Sequence, residues 1–465
     1  MMIQTLQNYI SAVNMWNTDP QKIQADYIAK AEKDKRNAIV RIHKDYAHPE
    51  KNIHKTPLAG AVILIKDNIL TKWYVSSCWS KMLEQYVAPY SATCFTKLEQ
   101  AGWFLLWKAN MDEFAMWWSN ETSYFGVVKN PHDSERISWW SSWWSAAAVA
   151  ADLCLAALGT DTGWSVRQPA AMCGVVWLKP TYGRISRYWV VAMASSLDQV
   201  GTLTKTVDDA GILLDAIKWY DSKDATSDLK ADGDIDKNLP TKGMKVALPT
   251  QFLTDALDPA IREKLDEAIV ELKEKGIQVD EVAIPLLSYV VPMYYTIMSA
   301  EVSTNLSRFD GIRFGHQDDT MNYDSIQDYY NAIRSEWFGD EVKRRILLGT
   351  YVLSSANYEW FYNKAKKVQS QLRQEFNKLF EDYDAILSPT SPEAAWKFGQ
   401  KSDPLSMYLA DLYTIPANLT GIPAISVPYG TVNKDGKELP VGIQFMTNHW
   451  REDIILSLWK TIEKI

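Results

Sequence analysis

The chain alternates short apolar runs with segments of helical spacing. The run AVILIKDN at 61–68 predicts a buried strand whose last residue, Lys66, emerges at one edge of a sheet. Helical spacing over 91–101 is followed by the apolar run FLLW, which predicts a helix and the next strand. Small and apolar residues from Ser145 to Gly159 predict a buried helix that Ser145 caps. This alternation is typical of an α/β fold with a mixed or parallel sheet.

The same alternation continues on both sides of a polar segment, which favours one large domain over two. Residues 1–57 begin with a stretch rich in Lys, Glu and Ala and are predicted to form a helical arm. The core is expected over 58–215, and the turn-rich stretch 220–243 predicts a surface excursion. Residues 244–465 then complete the same fold, so that a single domain spans 1–465.

Helix boundary signals are clearest after the excursion. The predicted strand MKVALP precedes Asp258, a preferred N-cap residue, and Pro259, which is favoured at the first helical position. Apolar residues then recur at helical spacing until Gly276, and VDEVAIP follows as the next predicted strand. We therefore expect a strand, a helix and a strand in succession here.

The composition is that of a globular protein. The 465 residues are 47% hydrophobic and 23% charged, and no apolar run reaches the length that a membrane-spanning helix needs. The N-terminal residues lack a basic segment followed by an apolar one, so we expect no export signal and a cytoplasmic location. A net charge of −8 provides no general attraction for phosphate backbones, which argues against direct nucleic-acid binding.

The residues that could carry chemistry exclude several common sites. The four cysteines lie far apart without a CxxC pair, which fits neither a disulfide framework nor a zinc site. None of the six histidines lies in an HExxH motif or in a setting typical of a Ser/His/Asp triad. What remains is a serine-dense segment, ISWWSSWWS at 137–145, and GTDTGWSVRQP at 159–169.

Tryptophan and glycine usage are both abnormal. The chain contains 20 Trp and 21 Gly, whereas average usage predicts about 5 and about 33. Read with Gly in place of Trp, the two serine segments become GGSSGGS and DTGGS. With KDN at 66–68, they resemble the signature of the amidase signature family of serine hydrolases, whose fold is an α/β/α sandwich around a large mixed sheet. Segments such as NMDEFAM, SSLDQVG and ANLTGIPAISVP extend the resemblance to the A subunits of glutamyl-tRNA(Gln) amidotransferases.

The resemblance implies a catalytic triad of two serines and a lysine. By motif position Ser165 is the nucleophile, and Ser141 relays its proton to Lys66. A lysine is protonated at neutral pH unless it is desolvated, so Lys66 must be buried to act as a base. Backbone N–H groups of Thr162, Gly163, Trp164 and Ser165 would form the oxyanion hole.

The resemblance also implies a glutamine site and partner subunits. Arg345 is expected to bind the α-carboxylate and Asp411 the α-ammonium, with Tyr295 lining the pocket, although the neighbours Arg344 and Tyr294 remain alternatives. The family implies no metal and no cofactor in this chain. A B subunit would use ATP and Mg²⁺ to activate glutamate on Glu-tRNA(Gln) and would receive the ammonia, and a small C subunit would complete a heterotrimer.

About fourteen tryptophans fall where the family has glycine. An indole there would obstruct turns that need glycine's conformational freedom. We therefore expect that the gene uses UGA codons for glycine and that these were read as tryptophan codons when the sequence was translated. The protein itself would then carry glycine at these positions. Trp396, Trp450 and Trp459 do not clearly fall on family glycines and are candidates for genuine tryptophan. The positions where the family pattern would have glycine include Trp73, Trp107, Trp139, Trp140, Trp143, Trp144, Trp164, Trp177, Trp189 and Trp337.

Two alternative functions stay open from the sequence. The first is a stand-alone amidase that acts on other small amides. The second is a catalytically inactive scaffold that only binds partners, which is the outcome expected if every tryptophan is genuine.

Overall fold

In the described part of the chain, a mixed sheet of eleven strands organises the fold. The computed structural model describes residues 5–15, 18–34, 39–42, 53–103, 105–116, 129–136, 143–163, 167–317, 323–400 and 410–463. The strands are β1 Ile39–Ile42, β2 Val62–Lys66, β3 Leu105–Ala109, β4 Ala156–Asp161, β5 Val176–Lys179, β6 Gln199–Thr204, β7 Lys245–Pro249, β8 Gln278–Val282, β9 Ala385–Pro389, β10 Ala424–Lys434 and β11 Lys437–Thr447.

The strand order is β1-β3-β2-β4-β6-β5-β10-β11-β9-β7-β8. Strand β2 runs parallel to β3 and β4, and β7 runs parallel to β8 and β9. The remaining neighbours pair in antiparallel fashion, including the long β10–β11 hairpin in the sheet interior. Because both kinds of pairing occur in one sheet, the predicted α/β class with a large mixed sheet is confirmed.

Helices of the described residues cover the sheet. They are α1 Leu6–Asn14, α2 Pro20–Lys33, α3 Thr93–Gln100, α4 Trp143–Ala150, α5 Arg167–Cys173, α6 Val207–Ile217, α7 Pro259–Glu274, α8 Val290–Leu306, α9 Ile326–Trp337, α10 Asp340–Leu353, α11 Lys364–Asp382, α12 Ile415–Thr420 and α13 Glu452–Ile462.

Strand β11 shows that helices lie on both faces of the sheet. Gly442 faces α5 so closely that a Cβ there would lie 2.3 Å from the Cβ of Ala171. Phe445, three residues along the strand, points to the opposite face and contacts Trp459 of α13 with ring centroids 5.0 Å apart. Successive side chains of a strand alternate between faces, so α5 and α13 sandwich the sheet.

One predicted helix is only half helical. The run from Ser145 to Gly159 forms α4 only as far as Ala150, and the chain then turns at Asp152, whose φ is +57°. The following residues enter β4, which pairs with β2 and β6. Ser145 lies inside α4 and is not its cap, and its hydroxyl is 3.5 Å from the carbonyl oxygen of Leu158. A run of small apolar residues fits a buried helix and a buried strand equally well, and here sheet pairing decided.

The arm predicted over 1–57 is helical at first but ends in an edge strand. Helices α1 and α2 are followed by β1, which pairs antiparallel with β3. The arm is fixed to the core by the buried carboxylate of Asp209, which accepts hydrogen bonds from the backbone N–H groups of Leu6 and Gln7 at 3.1 and 2.8 Å. A four-residue strand carries too little pattern to separate it from a polar arm.

The boundary signals of α7 are confirmed. The helix begins at Pro259, and the side chain of Asp258 accepts a hydrogen bond from the backbone N–H of Ala260 at 3.0 Å. The segment 220–243 is built of turns with one short 3₁₀ segment, Leu229–Asp232, as expected for a surface excursion. Within the described ranges, no helix is long and apolar enough to span a bilayer.

Candidate active site

Lys66 ends a strand that is buried along its whole length. Strand β2 lies between β3 and β4, and every residue from Val62 to Lys66 is buried because helices cover both faces. The side chain of Lys66 is fully buried as well. Its Nζ donates to Thr160 of the neighbouring β4, at 3.0 Å to Oγ1 and 3.4 Å to the carbonyl oxygen. These two contacts with β4 therefore hold the amine in place at the carboxyl-terminal end of β2.

The two residues after Lys66 anchor the turn at this edge. Asp67 accepts hydrogen bonds from the backbone N–H of Ser77 at 2.9 Å and from its hydroxyl at 2.6 Å. The amide nitrogen of Asn68 donates to Oγ1 of Thr160 at 3.0 Å. Thr160 thus receives two donors from the KDN segment, which fixes the orientation of Lys66 relative to β4.

Burial changes the proton affinity of Lys66. Desolvation lowers its pKa from 10.5 to about 7, because a buried ammonium loses its hydration. The carboxylates of Asp112, Asp161 and Asp198 oppose this effect, since their negative charges favour the protonated amine. A substantial fraction of Lys66 is therefore an uncharged amine near neutral pH, which is what a general base requires.

The segment after β4 is held from both sides. Thr162 donates its hydroxyl hydrogen to the buried carboxylate of Asp198 at 2.7 Å. The carbonyl oxygen of Gly163 accepts a hydrogen bond from the guanidinium of Arg167 at 2.9 Å. A Cβ at position 163 would lie 2.7 Å from the ring of Tyr294, so only glycine fits this approach. These contacts fix the direction of the backbone at two of the predicted oxyanion residues.

Ser141, Trp164 and Ser165 lie outside the described residues. Their predicted roles as bridging serine, oxyanion donor and nucleophile stay predictions. Ser165 is separated from Gly163 by one residue in the sequence, and Arg167 follows two residues later. The described part of the site is therefore the predicted base, the residues that orient it, and the backbone before and after the predicted nucleophile.

The residues predicted to hold the substrate lie together. The hydroxyl of Tyr295 donates to Oδ2 of Asp411 at 2.7 Å, and the guanidinium carbon of Arg345 lies 4.9 Å from the centre of the Tyr295 ring. Tyr295 contacts Tyr294, the residue packed on Gly163, with ring centroids 5.3 Å apart. The cluster therefore adjoins the backbone of the predicted oxyanion hole.

Burial separates Arg345 from its neighbour Arg344. The side chain of Arg345 is 5% exposed and its Nε donates to Glu341 at 2.6 Å, whereas the side chain of Arg344 is 61% exposed. Burial also raises the pKa of Asp411, although the hydrogen bond from Tyr295 and the charge of Arg345 oppose this effect. In the described part of the chain, Oδ1 of Asp411 accepts no hydrogen bond. The cation of Arg345, on α10, and the acid of Asp411, in a separate short turn, thus both contact the same tyrosine, Tyr295.

Sequence reasoning gave no role to three buried charged residues of this site. They are Asp112, Asp198 and Arg167, and each lies in a segment that also carries the family resemblance: NMDEFAM, SSLDQVG or GTDTGWSVRQP. Arg167 contacts Asp161, Asn418 and Gln444 in addition to Gly163. The available signal was the presence of a charged residue in a segment that is otherwise largely uncharged. Charged residues are seldom fully buried, so one that lies in such a segment is a candidate for a role in the site.

Four described tryptophans have a left-handed backbone. Their φ values are +69° at Trp73, +55° at Trp79, +62° at Trp189 and +67° at Trp450. This region costs a residue with a Cβ roughly 1–2 kcal/mol and is routine only for glycine. Trp450, which the sequence left as a candidate for a genuine tryptophan, thus shares the backbone geometry of the family glycine positions Trp73 and Trp189.

Among the described residues, two buried indoles at positions where the family has glycine have no hydrogen-bond acceptor. Trp144 and Trp177 are fully buried, and within the described residues neither ring nitrogen has a hydrogen-bond acceptor. A buried N–H without an acceptor is unfavourable by about 1–3 kcal/mol. Glycine at these positions would leave no such group.

Comparisons with known proteins agree with this geometry. The amidase family model matches residues 22–456. The chain is 46% identical to an A subunit, numbered 2, of the glutamyl-tRNA(Gln) amidotransferase of Clostridium acetobutylicum over 100% of this chain and 98% of the relative. It is 49% identical to the A subunit of Akkermansia muciniphila over 86% of each chain. The crystal structure of the A subunit from Thermotoga maritima superposes with a TM-score of 0.79 at 39% identity, covering 96% of this chain and 90% of that one.

Proposed function

The chain belongs to the amidase family, and from this premise we propose that it is the glutaminase subunit of a glutamyl-tRNA(Gln) amidotransferase. The observation that carries the proposal is the cluster of Arg345, Tyr295 and Asp411 beside Gly163. A free α-amino acid presents a carboxylate and an ammonium, and recognition of both requires a buried cation and a buried acid close together. Relatives at 46% and 49% identity carry the name of this A subunit.

The reaction begins with proton transfer to Lys66. The neutral amine accepts the proton of the Ser141 hydroxyl, and Ser141 takes the proton of Ser165 as its Oγ bonds to the side-chain amide carbon of glutamine. The tetrahedral intermediate collapses to a glutamyl ester, and the amide nitrogen leaves as ammonia with the proton returned from Lys66. Water then hydrolyses the ester to glutamate. Covalent catalysis of this kind divides a difficult amide cleavage into two easier steps.

The oxyanion of the intermediate would be bound by backbone N–H groups of Thr162, Gly163, residue 164 and Ser165. The hydrogen bonds from Thr162 to Asp198 and from Arg167 to Gly163 support this role, because they fix the backbone before the reaction starts. Donors held in place need no reorganisation as charge develops, which is the main source of such stabilisation.

Arg345 would bind the α-carboxylate of glutamine and Asp411 its α-ammonium. Glu341 and the ring of Tyr295 hold the guanidinium, while Tyr295 orients the carboxylate of Asp411. The ammonium would supply a partner for Oδ1 of Asp411, which accepts no hydrogen bond from the described residues. A neutral amide substrate would offer neither a carboxylate to Arg345 nor an ammonium to Asp411, so the pocket favours an amino acid.

The ammonia would serve a partner. We assign its use to a B subunit that activates glutamate on Glu-tRNA(Gln) with ATP and Mg²⁺, with a small C subunit completing the complex. Neither ATP nor a metal takes part in the steps that we assign to this chain. Transfer has to occur through protein, because ammonia released into water at neutral pH is protonated and diluted.

Two measurements test the proposal. Mass spectrometry of the native peptide spanning 136–167 determines whether glycine or tryptophan stands at the doubtful positions. Glutaminase activity is then measured on the chain with those residues, alone and with the B and C subunits and Glu-tRNA(Gln). We expect activity that rises in the complex and disappears in Ser165→Ala. Rapid hydrolysis of varied amides by the chain alone would indicate a stand-alone amidase, and absence of Ser165 labelling by a serine-directed probe would indicate an inactive scaffold.

A further inference from the structure

Asp112 is a buried carboxylate to which the described residues donate no hydrogen bond. It follows β3 and is fully buried. In the part of the chain that the structure describes, neither of its carboxylate oxygens accepts a hydrogen bond. It occupies the N-cap position of the short turn Glu113–Ala115, yet its side chain makes no capping hydrogen bond. A buried, unbonded carboxylate is costly, so its presence requires another explanation.

The other carboxylates near Lys66 differ from Asp112 in this respect. Asp67 accepts two hydrogen bonds from Ser77, and Asp198 accepts one from Thr162 and others from backbone N–H groups. Asp161 is held by Arg167 and Asn418. Each of these acids therefore has a structural role. Asp112 has none within the described ranges.

The sheet register brings Asp112 to the same edge as Lys66. Strands β2 and β3 are parallel, with Lys66 opposite Ala109, so Asp112 follows only three residues beyond the partner of Lys66. Among the described residues, Lys66 is the charge that acts on the proton affinity of Asp112, and it opposes the rise in pKa that burial causes. Among the described residues, Thr160 accepts hydrogen bonds from Lys66, and the titratable groups that act on its proton affinity include Asp112, Asp161, Asp198 and Cys78.

We propose that Asp112 is the counter-charge of Lys66 and stabilises the ammonium that forms when the amine takes the serine proton. The proposal rests on the proposed serine–serine–lysine chemistry. In the reactive form of the site the amine is neutral; during acylation it becomes Nζ–H₃⁺, although its side chain is fully buried. The negative charge of Asp112 then stabilises this ammonium, and the stabilisation ends when the proton passes to the departing ammonia. Asp112 is thus a positioning residue that acts through Lys66.

The first test is the pH dependence of serine labelling by a fluorophosphonate probe, which needs neither glutamine nor partner subunits. An opposite charge nearby raises the pKa of a lysine by about 1–3 units. In Asp112→Asn we therefore expect the acid limb of the labelling rate to move to lower pH by about one unit or more. The plateau should fall about tenfold, because a lysine with a lower pKa is a weaker base.

Asp209→Asn is the matched control. Asp209 is also fully buried, but it holds the backbone of the N-terminal arm. Its loss should lower thermal stability and leave the acid limb of the labelling rate where it is. A limb that moves equally in both variants would mean that any buried aspartate affects the profile through stability alone, which would contradict the proposal.

A double-mutant cycle with Lys66→Met gives a readout that does not depend on activity. If the two residues are charge partners, Asp112→Asn destabilises the wild-type background but stabilises the Lys66→Met background, where the carboxylate has lost its counter-charge. If the single variant Asp112→Asn does not fold, folding of the double variant would still show that removal of the carboxylate is tolerated once Lys66 is replaced. An unshifted acid limb or additive stability effects would overturn the proposal. A coupled pair in a chain without glutaminase activity would instead refute only the proposed function.

Discussion

Replacement of Trp73 by glycine should expose the cost of a tryptophan at a left-handed position. The residue has φ = +69° and its side chain is 71% exposed. Its backbone N–H donates to Ala88 at 2.7 Å, a hydrogen bond that glycine retains. Glycine mainly removes the interaction of the ring with the Lys72 ammonium, which lies 4.9 Å from the ring centre, and an exposed cation–π interaction of this kind contributes only about 0.5 kcal/mol.

Trp360 provides the matched control, because its side chain is 75% exposed but lies in the helical turn Glu359–Asn363. Both substitutions delete one exposed indole and add the same backbone freedom to the unfolded chain. The difference between them therefore isolates the left-handed strain of roughly 1–2 kcal/mol. Urea denaturation followed by circular dichroism should show Trp73→Gly to be more stable than Trp360→Gly by that amount. Equal losses of stability in the two variants would refute the argument.

Three further outcomes are expected for the active enzyme. Because burial lowers the pKa of Lys66 to about 7, kcat/KM for glutamine should rise as pH increases through about 7, and a limb near pH 10 would contradict a desolvated base. Arg345→Ala should raise KM for glutamine about 10- to 100-fold through loss of a charge-assisted contact. The same change at the exposed Arg344 should leave KM within about twofold, and a larger effect there would reassign the carboxylate site. Asp198→Asn should lower kcat about tenfold with little change in KM, since it weakens the support of Thr162; unchanged kcat would remove Asp198 from the site.

The sequence predicted the sheet well where strands are buried on both faces. Such strands are continuous apolar runs, and the run ending at Lys66 is too short for a buried helix. The prediction failed at 145–159, because small apolar residues suit a helix and a strand alike. The second half of this run became β4 because it pairs with β2 on one side and β6 on the other. Local sequence patterns carry no information about such pairing. The edge strand β1 was missed because four residues carry too little pattern to distinguish a strand from the polar arm around it.

Site residues were predictable where a motif assigned a role. Lys66, Arg345 and Asp411 were selected by position in a resemblance, and the last two lie beside each other around Tyr295. Asp112 and Asp198 stand in similar segments, yet their roles depend on which atoms they meet across the sheet. Asp198 meets the Thr162 hydroxyl, whereas Asp112 meets no hydrogen-bond donor in the described residues. Sequence spacing does not distinguish these two environments.

The separation of two helices sets the width of the proposed glutamine site. Gly349 of α10 lies so close to α8 that a Cβ there would be 2.0 Å from the carbonyl oxygen of Ser299. Arg345 and Tyr295 each lie one turn earlier on these helices, so the same crossing determines how closely the guanidinium approaches the ring. Gly349→Ala should therefore raise KM for glutamine by about tenfold or more and lower stability by about 1–3 kcal/mol, the usual cost of overpacking. Gly233→Ala, in the surface excursion, should change neither by a comparable amount. An unchanged KM in a destabilised Gly349→Ala enzyme would show that glutamine binding does not depend on the distance between α8 and α10.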